Sequence, residues 1–326
     1  MVGMIPQGPG AQAPVLTVTL NPALDVSTSA DSVVPELKIR CDAPAIDPGG
    51  GGINVSRAIA RIGGRSTALV ALGGGTGARL CDLLRETGLP MLRLDAPGET
   101  RQSLSVTDRA TGAQYRFVLP GPDWQPWDVR GALDAIAGAA PVGGIVVLSG
   151  SNPPGVPSDF ATLLAARLSG SGARLFVDTS GSALAAVATG TARAVAVLRM
   201  DDAEAEGLAG RQLPTRADTA DFAAALVAAG AAESVLIARG SDGNIVAGPD
   251  GRWHAAAHEV PILSKVGAGD SFVAGYTLGL ARGLAVTEAL ALAAAAASAT
   301  CMTPATELCY PEDVARLYDP RTVTPI

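Results

Sequence analysis

Six short apolar runs recur along the chain, each closed by polar or glycine residues, with helical stretches between them. Val15–Leu20 ends at Asn21-Pro22, and Ser66–Leu72, Ile145–Ser149, Arg174–Asp178, Ala194–Leu198 and Ser234–Ala238 repeat the pattern. Between them, Asn54–Ile62 stops at Gly63-Gly64, Gly77–Glu86 at Gly88, and Asp218–Ala229 at Gly230, while Ser158–Leu168 has the same helical spacing. Continuous apolar strands alternating with helices call for a parallel sheet covered on both faces. The ligands of such a sheet bind beyond the carboxyl ends of its strands.

Two segments break this rhythm. Ser32–Ala45 has no helical period and carries Lys38 and Arg40. Arg101–Leu119 reads as two strands, Ser103–Thr107 and Gln114–Leu119, turned by Ala110-Thr111-Gly112. Both are assigned to a small β-appendage, which lacks a core of its own and needs a second subunit or a substrate cleft as partner. Gly267–Leu317 is mostly helical. With 326 residues the chain suits one large domain, expected over 15–320, with lid segments at about 25–47 and 97–121. Met1–Pro14 is rich in Gly, Pro and Gln and lacks the basic and apolar regions of a signal peptide, so a flexible tail and a cytoplasmic protein are expected.

Composition narrows the partners. Aromatic residues are only 4% of the chain and the net charge is −7, which argues against nucleic acid. Ala289–Met302 is apolar but too short to span a bilayer, so no membrane partner is expected. An anionic substrate in so acidic a chain requires a few local cations. Cys41, Cys81, Cys301 and Cys309 have no metal spacing and read as reduced structural thiols. His254 and His258, beside Trp253, read as part of a half-exposed strand.

Gly267-Ala268-Gly269-Asp270 opens the helix Ser271–Arg282. Small residues there let the backbone approach a ligand, and the unpaired first amides with the helix dipole suit phosphate oxygens. Asp270 in that turn is either a general base for an attacking hydroxyl or an electrostatic partner of the helix end. Asp47-Pro48-Gly49-Gly50-Gly51-Gly52-Ile53-Asn54 is the second signal. Four glycines cost more backbone entropy than a plain turn warrants, so the run reads as a loop pressed on a ligand or a hinge. Asn54 either caps the following helix or bonds a hydroxyl.

"TVTLNPALD" (Thr17–Asp25), "PGGGGINVSRAIARIGG" (Pro48–Gly64), "LSGSNPPG" (Leu148–Gly155) and "VGAGDSFVAG" (Val266–Gly275) together resemble the ribokinase-like (PfkB) family of carbohydrate kinases. The resemblance runs from about Val15 to Leu317. Within the family, Lys38–Asn54, Thr100–Leu104 and Gln114–Gly121 are most similar to the minor bacterial 6-phosphofructokinase. Its neighbours, 1-phosphofructokinase and tagatose-6-phosphate kinase, usually carry Lys within the glycine run.

The resemblance implies a three-layer α/β/α sandwich with a central, mostly parallel sheet and a small β-sheet lid that forms a homodimer contact. It implies ATP and Mg²⁺ as cofactors and a phosphorylated ketohexose, fructose 6-phosphate foremost, as acceptor. Asp270 would be the base, and the amides of Gly267, Ala268 and Gly269 the anion hole. Asp25, Gly50, Gly51 and Asn54 would hold sugar hydroxyls, with Ser151 also at the substrate. Lys38, Arg101 and Arg40 would hold the sugar phosphate, although such cations also protect edge strands.

The nucleotide end departs from the family. Where Lys-Pro-Asn and a later Glu are usual, the chain has Arg199-Met200-Asp201-Asp202-Ala203-Glu204. Asp201 and Glu204 are expected to hold Mg²⁺ through water, as hard oxygen ligands. Arg199 and Lys265 would offset the added charge, and Ala238, Gly240 and Gly243 would line the nucleotide loop. Thr303–Glu307 replaces the usual Asn-x-Gly of a monovalent-cation site, which makes potassium activation doubtful. A sugar-phosphate sensor with weakened catalysis is the non-enzyme alternative.

Overall fold

All six apolar runs pair as parallel neighbours in their described parts, with Val15–Leu20 between Ile145–Ser149 and Ser66–Leu72. The computed structural model describes residues 4–190, 195–304 and 306–326, so Ala194 of one expected strand and Ala305 of the expected cation segment lie outside it. In chain order the first strands are β1 (Val15–Thr19), β2 (Ala23–Ala30), β3 (Ala45–Gly49), β4 (Thr67–Leu72), β5 (Met91–Asp95), β6 (Arg101–Asp108) and β7 (Gln114–Val118). The rest are β8 (Ile145–Ser149), β9 (Arg174–Asp178), β10 (Val195–Asp201), β11 (Ala232–Ala238), β12 (Asn244–Gly248), β13 (Gly251–Ala255) and β14 (Val323–Pro325).

The main sheet has the order β14-β13-β12-β11-β10-β9-β8-β1-β4-β5. It is parallel from β11 to β5, with β12, β13 and β14 added antiparallel at one edge. Alternate strand residues feed two cores. Leu16, Val18, Val146 and Leu148 face Phe160, Leu164 and Leu133, while Val15, Ile145 and Val147 face Ile59, Phe272 and Leu292. Helices therefore cover both faces, and each large side chain so buried contributes roughly 1.5–3 kcal/mol. The Ala-rich composition has a local cause on the second face. A side chain at Gly279 would stand 2.7 Å from Ala289, so the helices Ala268–Ala281 and Val286–Cys301 pack backbone against backbone.

The lid is a second sheet of order β3-β2-β6-β7. Its inner face is polar, with Asp25, Ser27, Ser103, Ser105, Gln114 and Arg116 turned to the cleft. Its other face carries the aligned row Ile46, Val26, Leu104 and Phe117, of which Phe117 is 53% exposed.

Several expectations change. Ser32–Ala45 is an irregular connection rather than sheet, apart from Ala45; the strands flanking it are β2 and β3, and Glu36 takes a positive φ of 64°. The glycine run is hardly a loop at all. β3 ends at Gly49, the helix Gly51–Arg61 begins at once, and Gly50 alone bridges them with φ 135°. Asn54 thus lies inside the helix and does not cap it. Met1–Gly3 of the expected loose N-terminal tail lie outside the described residues; the rest is tied down, as Ala13 N–H donates to Ala281 O at 2.7 Å and the Arg282 guanidinium to Pro6 O at 2.8 Å. His254 is buried in β13, and His258 lies beyond that strand. The edge strand β5 and the helix Pro126–Ala139 were not foreseen, because neither forms a continuous apolar run.

Candidate active site

The direction of strand addition reverses between β1 and β8, which opens a crevice at their carboxyl ends. Asn21 and Ser151 meet there, the Asn21 amide donating to Ser151 Oγ at 3.1 Å. Ser149, Asp178 and Arg199 end or nearly end β8, β9 and β10 and are aligned in register. Ser149 Oγ donates to Asp178 Oδ2 at 3.1 Å, and the Arg199 guanidinium pairs with Asp178 Oδ1 at 3.2 Å.

Gly267, with φ 79°, caps the helix Ala268–Ala281 and places Asp270 in its first turn. Ser271 N–H closes the first helical bond onto Gly267 O at 2.9 Å. Ala268 N–H donates weakly to Lys265 O at 3.3 Å, so one of the three amides expected in the anion hole has a partner of its own. Asp270 shares a cavity of about 240 Å³ with Gly50, Gly51, Asn54, Ser151 and Glu204. Asn54 Nδ2 donates to Asp270 Oδ2 at 2.8 Å. Burial, and then the charge of Asp178, push the Asp270 carboxyl up to about 7, against the pull of the Asn54 hydrogen bond and Arg199. A carboxylate of that basicity can take a proton from a hydroxyl near neutral pH.

A larger cavity of about 590 Å³ lies between the lid and the loop around Lys265. Asp25 stands in its wall. Its carboxyl is pushed up to about 6, chiefly by burial, with Arg101 and then Arg116 opposing and Asp47 adding to the rise. Arg101 Nε also donates to Asn21 O at 3.2 Å, which fixes it at the head of β6. Lys38 and Arg40 do not join this group; both are exposed on the irregular connection and line neither cavity.

At the end expected to take the nucleotide, Asp201 caps the helix Asp202–Ala209 in a reciprocal box. Asp201 Oδ1 accepts from Glu204 N–H at 2.8 Å, and Glu204 Oε2 from Asp201 N–H at 2.9 Å. Burial raises the Glu204 carboxyl above its ordinary range. Ala238 lies level with Asp201 across β10 and β11, and the turn Gly240–Asp242 with Gly243 follows. Ala238, Gly240 and Gly243 line neither cavity; Arg199 is buried against Asp178 and Gly269, and Lys265 lines the larger cavity.

Sequence reasoning missed Asp178 and Arg116. Asp178 was readable as an acidic residue closing an apolar strand at the ligand-binding end of the sheet. Arg116 was hidden because its inward direction depends on the pairing of β6 with β7, where it lies opposite Ser105.

A doubly covered sheet, a crevice at its switch point and a basic carboxylate in the first turn of a helix define a group-transfer enzyme of the α/β class. The pfkB family carbohydrate kinase model matches residues 19–313. The ATP-dependent 6-phosphofructokinase isozyme 2 of Mycobacterium tuberculosis is 39% identical over 305 residues, covering 94% of this chain and 89% of the relative. The enzyme of that name from Escherichia coli is 37% identical, covering 93% and 97%. The crystal structure of Escherichia coli phosphofructokinase-2 in complex with fructose-6-phosphate superposes with a TM-score of 0.86 at 35% identity, covering 94% of this chain and 98% of that one. This chain belongs to the pfkB family of carbohydrate kinases. It is a phosphate-transferring sugar kinase with a ribokinase-like fold.

Proposed function

We propose that this kinase transfers the γ-phosphoryl group of ATP to the 1-hydroxyl of fructose 6-phosphate. The observation that carries the reading is that Asp270, Asn54, Gly50 and Gly51 line one cavity, while Asp25 and Arg116 line the other, with the charge of Arg101 also acting on Asp25. Asp25, Asn54 and the glycine backbone hold the sugar hydroxyls. Arg101 holds the 6-phosphate by charge-assisted bonds, stronger than neutral ones. Asp270 takes the proton of the 1-hydroxyl, and the free amides of the Gly267–Gly269 turn receive the charge on the transferring phosphoryl group.

The carboxylates suit Mg²⁺ reached through water. Asp201 and Glu204 each have an oxygen in the capping box, and Glu204 faces the same cavity as Asp270. Among the described residues no cluster of three or more His, Cys, Asp or Glu forms a direct metal cage. Asp201 and Glu204 would hold the ion through water, and it would supply positive charge against the nucleotide phosphates. The exposed apolar row on the lid favours a homodimer formed through that face. No described helix is long and apolar enough to cross a membrane, in keeping with a cytoplasmic kinase.

The test is ADP release by the purified protein with ATP, Mg²⁺ and fructose 6-phosphate, tagatose 6-phosphate, fructose 1-phosphate or fructose. Fructose 6-phosphate is expected to give the highest kcat/KM. Equal values for fructose and its 6-phosphate contradict the clamp, and binding without turnover on any sugar identifies a sensor.

A further inference from the structure

Arg199 is a largely buried cation of the site, and among the described residues only part of its guanidinium has a protein partner. One terminal nitrogen pairs with Asp178 at 3.2 Å. The other lies against the turn that carries Asp270, so closely that a side chain at Gly269 would meet it at 3.2 Å. Its Nε–H is buried without a protein partner among the described residues, and so is the hydroxyl of Thr277. These two groups come from different layers, β10 of the sheet and the helix Ala268–Ala281 above it. Both residues line one small cavity of about 10 Å³, whose wall also includes Phe176, Val197, Leu236 and Val273.

An unpaired buried donor costs about 1–3 kcal/mol, and two on the wall of one cavity double the penalty. A cavity holds a water molecule once it offers about 10–15 Å³ and two or more polar partners. Here the donor of Arg199 and the two-way hydroxyl of Thr277 supply those partners. We propose that one buried water in this cavity joins Thr277 to Arg199 Nε, and that Thr277 and Arg199 together are positioning residues for the first turn bearing Asp270. The water accepts from Arg199 Nε–H and donates to Thr277 Oγ1. The guanidinium plane is thereby fixed, with one end on Asp178 and the other in the space where a side chain at Gly269 would stand. The catalytic consequence rests on the kinase reading above, but the water site does not.

Two measurements test it. A crystal structure at a resolution that shows ordered water is expected to have one well-defined water within hydrogen-bond reach of Arg199 Nε and Thr277 Oγ1. A dry cavity, or Arg199 Nε bonded elsewhere, overturns the site whatever the enzyme's substrate. For the positioning role, Thr277→Val keeps the shape and removes the hydroxyl, whereas Thr277→Ser keeps the hydroxyl. Val is expected to lower kcat on the order of tenfold, less than the hundredfold of a full ångström's misplacement. KM for both substrates should stay within about twofold, as expected when an interaction made only in the transition state is lost. Ser is expected to restore kcat. Wild-type kcat in the Val variant, or an equal loss in both variants, overturns the role.

Discussion

The two ends of the cleft are built from the same sheet, yet their polar groups are disposed in opposite ways. At the end proposed for the acceptor, Asp25 and Asp270 are partly buried and pushed up to about 6 and about 7, with few bonds to their oxygens. At the nucleotide end, Asp201 and Glu204 satisfy each other in a capping box, and Arg239 is held by Asp242, Leu213 O and Pro214 O. Asp242 is drawn down to about 2 by Arg216 and Arg239. One end stores unfavourable electrostatics that a substrate can relieve; the other is a settled shelf. Chemistry and acceptor choice should therefore depend steeply on single residues at the first end and weakly at the second.

The largest effect is expected from Asp270→Asn, which leaves the fold and ATP binding nearly intact and lowers kcat by about 10²–10⁴-fold. Steady-state kinetics with a nucleotide-binding titration check it, and a variant that keeps more than about a tenth of wild-type kcat removes Asp270 as the base. Next comes Arg101→Ala. Loss of a charge-assisted bond worth about 1.5–3 kcal/mol lowers kcat/KM for fructose 6-phosphate by roughly 10–100-fold. Fructose should be nearly unaffected, so the ratio of the two sugars narrows; an equal fall for both would place Arg101 outside the phosphate clamp.

Much of this contrast was legible in the sequence, and the limits have physical causes. The parallel sheet and the place of Asp270 in a helix's first turn followed from local patterns, whereas Asp25 entered only through the family resemblance and Asn54 was read as a cap or a hydroxyl ligand. Asp178 and Arg116 did not, since they matter only through the strands beside them. Lys38 and Arg40 looked equivalent to Arg101 because charge carries no direction in sequence, yet only Arg101 stands at the head of a strand facing the cleft. The glycine run appeared as a ligand loop because its entropy cost is visible, whereas its absorption by β3 and the helix Gly51–Arg61 depends on tertiary pairing.

Two smaller effects sharpen the contrast. Asp25 has a folded value of about 6 against an ordinary 3.8, so its ionisation destabilises the fold increasingly as pH rises from 3.8 through about 6. Asp25→Asn should raise Tm by roughly 2–4 °C above that window and by much less near its lower edge. A pH-independent gain would assign the effect to packing instead. Smallest of all, Asp201→Asn preserves a side-chain oxygen for the cap and should change kcat/KM by less than about tenfold. Complete loss of activity would contradict a water-mediated role in binding Mg²⁺.

The most direct measurement is the pH dependence of kcat/KM for fructose 6-phosphate, which reports the free enzyme's groups, in the wild type and in Asn54→Ala. Asp270 must be ionised to accept a proton, so activity should rise with pH through an acid limb near 7. The Asn54 hydrogen bond holds that carboxyl down, so its removal should move the limb to higher pH. The sugar phosphate, whose second ionisation lies near 6 as in other phosphomonoesters, titrates alike in both proteins and cancels in the difference. An upward shift of the limb is the predicted result. A limb at the same pH in both proteins, or a flat profile through neutrality, would contradict Asp270 as the base.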